Sequence, residues 1–200
     1  MKNALTALVA MTLLASVSLA QDTTSSRMAM PEIYSSKGIR VSLLRPTIDM
    51  KGKGKMEGKT VNLTGKVEDV LGLGVGYANL PVGQVGWTGN VTYLKPATGD
   101  AGMLRGDGNV AYAFTQFVNV KGGLNVMKVI GGSFAENYTP GIGGQASVGL
   151  QLTRNFGLDL SYVMMRNGLK LPVSPGSSSK ILTVDDLEFA GVEIGLNGTF

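Results

Sequence analysis

The stretch from Leu187 to Phe200, LEFAGVEIGLNGTF, limits the possible folds more than any other part of the chain. Counting back in twos from Phe200 gives Gly198, Leu196, Ile194, Val192 and Ala190, an apolar face. The other parity gives Thr199, Asn197, Gly195, Glu193 and Gly191, all polar or small. A period of two over about ten residues is that of a β-strand with a different solvent on each face. The run ends on a C-terminal aromatic. That suits a strand closing a membrane barrel, with the aromatic at the interface.

Seven further runs share the pattern. They are Gly38 to Met50, Lys59 to Asn79, Gln84 to Lys95, Leu104 to Phe114, Phe117 to Ile130, Ile142 to Leu152 and Phe156 to Lys170. The connections between the eight runs alternate long and short. Outer-membrane barrels have long extracellular loops and short periplasmic turns, and an even strand number with both termini in the periplasm requires this alternation. Tyr77, Trp87, Phe114, Phe117, Phe156 and Phe200 fall near the short-turn end, as an interfacial girdle would, while Tyr93 and Tyr162 lie higher.

Residues 1–20 read as a secretory signal. Lys2 supplies the positive start, Ala4 to Leu14 is an apolar core too short to span a bilayer, and Ser18 and Ala20 are the small residues before a cut between Ala20 and Gln21. Residues 21–37 read as a flexible periplasmic lead-in, and 38–200 as the barrel. The 29 glycines and the 16% of charged residues suit a tightly curved sheet facing lipid. The formal charge of +4 is too small to imply a nucleic-acid partner.

Gly72 to Tyr77, Asn109 to Thr115, Val120 to Asn125, Leu150 to Leu160 and the closing strand carry a likeness of architecture and turn placement. On these residues the chain resembles the OmpA/OmpX-type family of small eight-stranded outer-membrane barrels, over about Gly38 to Phe200. The fold expected is all-β: an eight-stranded antiparallel transmembrane up-and-down β-barrel with short periplasmic turns and longer extracellular loops. The resemblance implies the outer membrane of a Gram-negative bacterium. Its partners there would be outer-membrane lipid and lipopolysaccharide, the barrel-assembly machinery and periplasmic chaperones. A monomer is expected. With the chain ending at Phe200, no peptidoglycan-binding domain follows the barrel, so a cell-wall tether is not expected.

An eight-stranded barrel is only wide enough for side chains to fill it. Arg40, Lys66, Glu68, Lys121, Asp159 and Glu193 fall on the inward parity, and buried charges must pair. Glu193 is expected to find Lys121 or Arg40. The set reads as a salt-bridged plug, with a gate for a narrow ion path as the alternative. Asp69 falls on the lipid parity, at the upper rim or beside a bulge. Lys51, Lys53, Lys55 and Lys59 belong to a glycine-rich basic surface loop around KGKGKMEG. The glycines of GLGVG and GIGG alternate with Leu, Val or Ile in strand period and read as small residues inside a narrow barrel rather than as a phosphate loop. Phe200 reads as an assembly signal.

The chain has no histidine and no cysteine. A Ser–His–acid triad, thiolate chemistry and disulfides are therefore excluded. No catalytic residue, cofactor or metal site is expected. The function expected is that of a non-enzymatic outer-membrane barrel with a structural or surface-interaction role. The alternatives are a narrow pore or transporter for a small or hydrophobic solute, and an adhesin acting through the basic loop 51–58.

Overall fold

The computed structural model describes residues 36–56, 59–67, 69–132, 135–172 and 181–200. The expected leader with its Ala20–Gln21 cut, nearly all of the lead-in, and Glu68 lie outside these residues. The strands are β1 (Ser36–Pro46), β2 (Ile48–Met56), β3 (Lys59–Val67), β4 (Val70–Leu80), β5 (Val85–Pro96), β6 (Gly102–Ala113), β7 (Val118–Ile130), β8 (Gly141–Gln151), β9 (Phe156–Pro172) and β10 (Ile181–Thr199). A short 3-10 turn at Ala135–Asn137 is the one helical element among the described residues.

Eight strands close the barrel. β4 to β10 pair antiparallel in sequence order, and β1 joins β4 on one side to β10 on the other. The closing seam runs from Arg40 opposite Thr199 to Pro46 opposite Glu193. Phe200 extends it: its N–H donates to the Ile39 carbonyl and its carbonyl accepts from the Ile39 N–H, both at 2.9 Å. Closure leaves no unpaired edge in the ring, which a backbone in hydrocarbon requires.

β2 and β3 rise from the ring as a hairpin. β2 takes over from β1 beside β10, from Asp49 opposite Ala190 up to Lys55 opposite Thr183. β3 pairs with β2 along its whole length. This corrects two expectations. The basic segment is not a loop: Lys51, Lys53 and Lys55 are exposed residues of β2, and Lys59 begins β3. Lys and Gly are poor strand formers, but pairing on both sides of β2 overrides that preference. The expected second strand is also two, β3 and β4. Asp69 breaks it with a φ of 49°, a left-handed conformation that resets the pleat, so that Val70 turns inward and Leu71 outward.

The end of the barrel holding the closing seam has only short connections, at 81–84, 114–117 and 152–155. At the far end the chain invests length in strands as well as loops. β9 has 17 residues and β10 has 19, where about 9–11 suffice to span a bilayer. The expected loop from Pro96 to Met103 shrinks to residues 97–101 for this reason.

Outside and inside are inverted relative to a water-soluble barrel. Val110, Leu124 and Ile142 are 63%, 71% and 68% exposed, and Leu73, Val75, Val91, Leu160 and Ile194 share their face. A continuous apolar belt of this extent is not left to water. Close approach of paired strands also decides residue type: at Gly143 a Cβ would collide with the Met164 carbonyl oxygen of the neighbouring β9.

Candidate functional site: the filled lumen and the outer rim

Three layers fill the lumen. Nearest the end with the short connections, Ala78, Leu80 and Ala111 form a small apolar layer. Toward the far end, Leu94, Met103, Met127, Val163, Met165, Leu187 and Phe189 belong to a larger apolar cluster. Between them lies the polar layer.

The polar layer is built from every second residue of several strands. Asp159 of β9 receives Arg40 of β1 on one carboxylate oxygen and Lys121 of β7 on the other. Arg40 Nε also donates to Asn197 Oδ1 at 3.2 Å, and Ser42 Oγ donates to the same oxygen at 2.8 Å. Arg105 of β6 grips Glu193 of β10 with two parallel hydrogen bonds of 2.9 Å each. Such a bidentate pair fixes orientation as well as charge. Asp107 lacks a cation in this set. Its Oδ1 accepts from Asn90 at 3.0 Å, Asn109 at 3.0 Å and Gln145 at 3.2 Å.

The six lumen charges, Arg40, Arg105, Lys121, Asp107, Asp159 and Glu193, are three cations and three carboxylates. They neutralise one another. The space left among them is about 30 Å³, room for about two water molecules. A second gap between the charged and upper apolar layers measures about 10 Å³.

Of the residues expected in the lumen, Arg40, Lys121, Asp159 and Glu193 are there. Lys66 is not: it is exposed on β3, opposite Asp49, because the β2–β3 hairpin stands clear of the ring. The partner of Glu193 is also corrected. Arg105 holds it, while Arg40 and Lys121 are committed to Asp159. Arg105 and Asp107 escaped the sequence reading, although stepping back in twos from the inward Asn109 reaches both. Asp69 lies at the break between β3 and β4, exposed, 3.5 Å from Arg45.

At the far end the segment after the 3-10 turn folds onto the barrel. Tyr138 packs against the upper apolar cluster, and burial pushes its hydroxyl pKa up. Asn167 Nδ2 donates to the Thr139 carbonyl at 3.0 Å, and the Gly168 N–H donates to Thr139 Oγ1 at 2.8 Å.

The rims differ. At the closing end Tyr77 stacks on Trp87, Tyr112 meets Phe114 edge-on, and Phe156 meets Phe200 edge-on, with centroids 5.5, 5.0 and 6.0 Å apart. Toward the far end the outward positions turn charged, with Arg45, Lys51, Lys128 and Arg166 exposed beside Asp49 and Asp69.

A closed eight-stranded antiparallel barrel with an apolar exterior and a filled, charge-neutral interior is a transmembrane β-barrel. Among the solved structures that match, three illustrate the likeness over most of their length. A Neisserial surface protein A is 16% identical, with a TM-score of 0.42, covering 82% of this chain and 97% of its own. The outer-membrane protein OprG from Pseudomonas aeruginosa is 14% identical, with a TM-score of 0.42 and coverages of 83% and 99%. Ail, the attachment invasion locus protein of Yersinia pestis, bound to the heparin analogue sucrose octasulfate, is 13% identical, with a TM-score of 0.44 and coverages of 82% and 99%. No family model and no curated protein sequence matches the chain. At such identities and TM-scores the likeness is one of backbone outline, and the functional reading rests on the geometry.

Proposed function

We propose that this chain is a non-enzymatic integral barrel of a Gram-negative outer membrane that does not conduct and that presents its long far-end strands at the cell surface. The OmpA/OmpX-type likeness read from turn placement belongs to this proposal. So do lipopolysaccharide as the surrounding lipid, delivery by periplasmic chaperones and the barrel-assembly machinery, and a monomeric state. The lumen carries the reading. Its six charges cancel in hydrogen-bonded sets around about 30 Å³ of space, beneath an apolar layer, and this leaves no path for a hydrated ion. The test is reconstitution of the folded chain in planar bilayers. Heat-modifiable gel mobility without steady conductance is expected; large ohmic steps would overturn the reading.

Adhesion is the second reading, favoured by the hairpin. Lys51, Lys53 and Lys55 stand exposed at alternate positions of one paired strand, about 7 Å apart, as fixed point charges for a polyanion. Replacing all three with Gln should abolish binding of the reconstituted protein to a sulfated polysaccharide. Unaltered binding would reject adhesion through this strand.

A further inference from the structure

The outer wall is dented where β1 gives way to β2. Pro46 has no N–H to donate, and Thr47, between the two strands, keeps the register with β10 by donating to the Val192 carbonyl at 2.8 Å. Gly191 faces this break, and a Cβ there would collide with the Thr47 carbonyl oxygen. The result is a pocket of about 320 Å³ on the outside of the barrel, near the lower bound of small-molecule sites (about 300 Å³).

The pocket straddles the edge of the apolar belt. Its lower half is Val192, Ala190 and Tyr162. Val192 and Tyr162 are register partners in the belt itself. Its upper half is Lys51, Asp49 and Glu188. Two more cations border that half: Arg166, 3.7 Å from Glu188, and Lys66, opposite Asp49 in the hairpin. A ligand matching this lining has hydrocarbon below. Above it has hydroxyl or amide groups for the two carboxylates and an anion for Lys51, with a cationic surround that favours negative charge. A soluble polyanion does not fit, because the lower half opens onto a wall that lipid covers.

The geometry points to a binding site for one phosphorylated glycolipid of the outer leaflet. Its first methylene groups lie along Val192 and Tyr162, its sugar sits against Asp49 and Glu188, and its phosphate meets Lys51. The site rests on the outer-membrane reading above and names the lipid partner within it.

The full chain, folded in mild detergent, tests this by native mass spectrometry with an acylated, bisphosphorylated glucosamine disaccharide lipid. One molecule retained per chain, at least tenfold in preference to phosphatidylglycerol, is expected. Lys51→Glu and Ala190→Trp should each cut retention at least tenfold, and Lys128→Glu, at a cationic position on β7, should not change it. Equal retention of phosphatidylglycerol, equal loss on Lys128→Glu, or full retention by the pocket variants would each overturn the site. Heat-modifiable mobility confirms folding of every variant, and Lys51→Met repeats the comparison where Lys51→Glu loses the folded band. Recovery of the chain without detergent would defeat the membrane reading itself. A folded, membrane-embedded barrel that ignores the glycolipid defeats this inference alone.

Discussion

The Arg105–Glu193 pair offers the sharpest test of the lumen. Its side chains are 4% and 6% exposed, and its two hydrogen bonds are both 2.9 Å. Arg105→Met keeps most of the volume and strands a carboxylate among Leu94, Val163 and Phe189, since the other two lumen cations face Asp159. Breaking a buried pair from one side costs about 3–5 kcal/mol, mostly the uncompensated charge. Removing both charges with Arg105→Met/Glu193→Gln avoids that penalty and should recover all but about 1–2 kcal/mol of it. Urea unfolding from liposomes, followed by the single tryptophan, Trp87, reads both numbers. A single variant costing under about 1 kcal/mol would refute the reasoning, because a solvated or exchangeable pair loses that little. So would a double variant no more stable than the single one, which would place the cost in lost packing.

Other positions test other parts of the architecture. Leu124→Arg, at the most exposed apolar position of the belt, should cost about 2–4 kcal/mol in liposome unfolding, as a cation near the bilayer midplane does; no cost would place β7's outer face in water. Gly143→Val, whose Cβ meets the Met164 carbonyl oxygen, should lower stability by about 3 kcal/mol, and a native unfolding midpoint would show that the neighbouring strand gives way. Deleting Phe200 removes two backbone hydrogen bonds to Ile39 and the edge-on contact with Phe156. Export should be intact and the yield of heat-modifiable barrel several-fold lower, and normal assembly would contradict a closing role.

Much of the barrel is legible because it obeys one rule, a period of two read against two solvents. Parity alone places Arg40, Lys121, Asp159 and Glu193 inside and Val75, Trp87, Val110 and Ile194 outside. What it misses follows from how the rule fails. Near the far end of β9 and β10 the inward residues are themselves apolar, as at Val163, Met165, Leu187 and Phe189, so alternation disappears from the sequence while persisting in the fold. The Lys–Gly alternation of β2 is obscured by residue types that read as a loop. Ion-pair partners are beyond parity altogether. Glu193 meets Arg105 across the barrel, four strands away around the wall, and that choice depends on strand tilt and stagger, which local sequence does not encode.

The order of the layers bears on whether the lumen could gate. A polar plug alone could open by exchanging partners, since neutralising Glu193 frees Arg105 to swing away. Here the Arg105–Glu193 pair lies against the upper apolar cluster: Leu94, Val163, Met165 and Phe189 line the gap beside it. An ion passing the pair would still face the close-packed hydrocarbon of that cluster, where an unpaired charge is costly. Glu193→Gln should therefore leave planar-bilayer current at the baseline, and so should Leu187→Ser/Phe189→Ser, which wets the upper layer and keeps the ion pair. Only the triple variant should show small, steady steps. Steps from Glu193→Gln alone would mean that the apolar layer is no barrier, and that the charge pair by itself is the gate of a narrow pore.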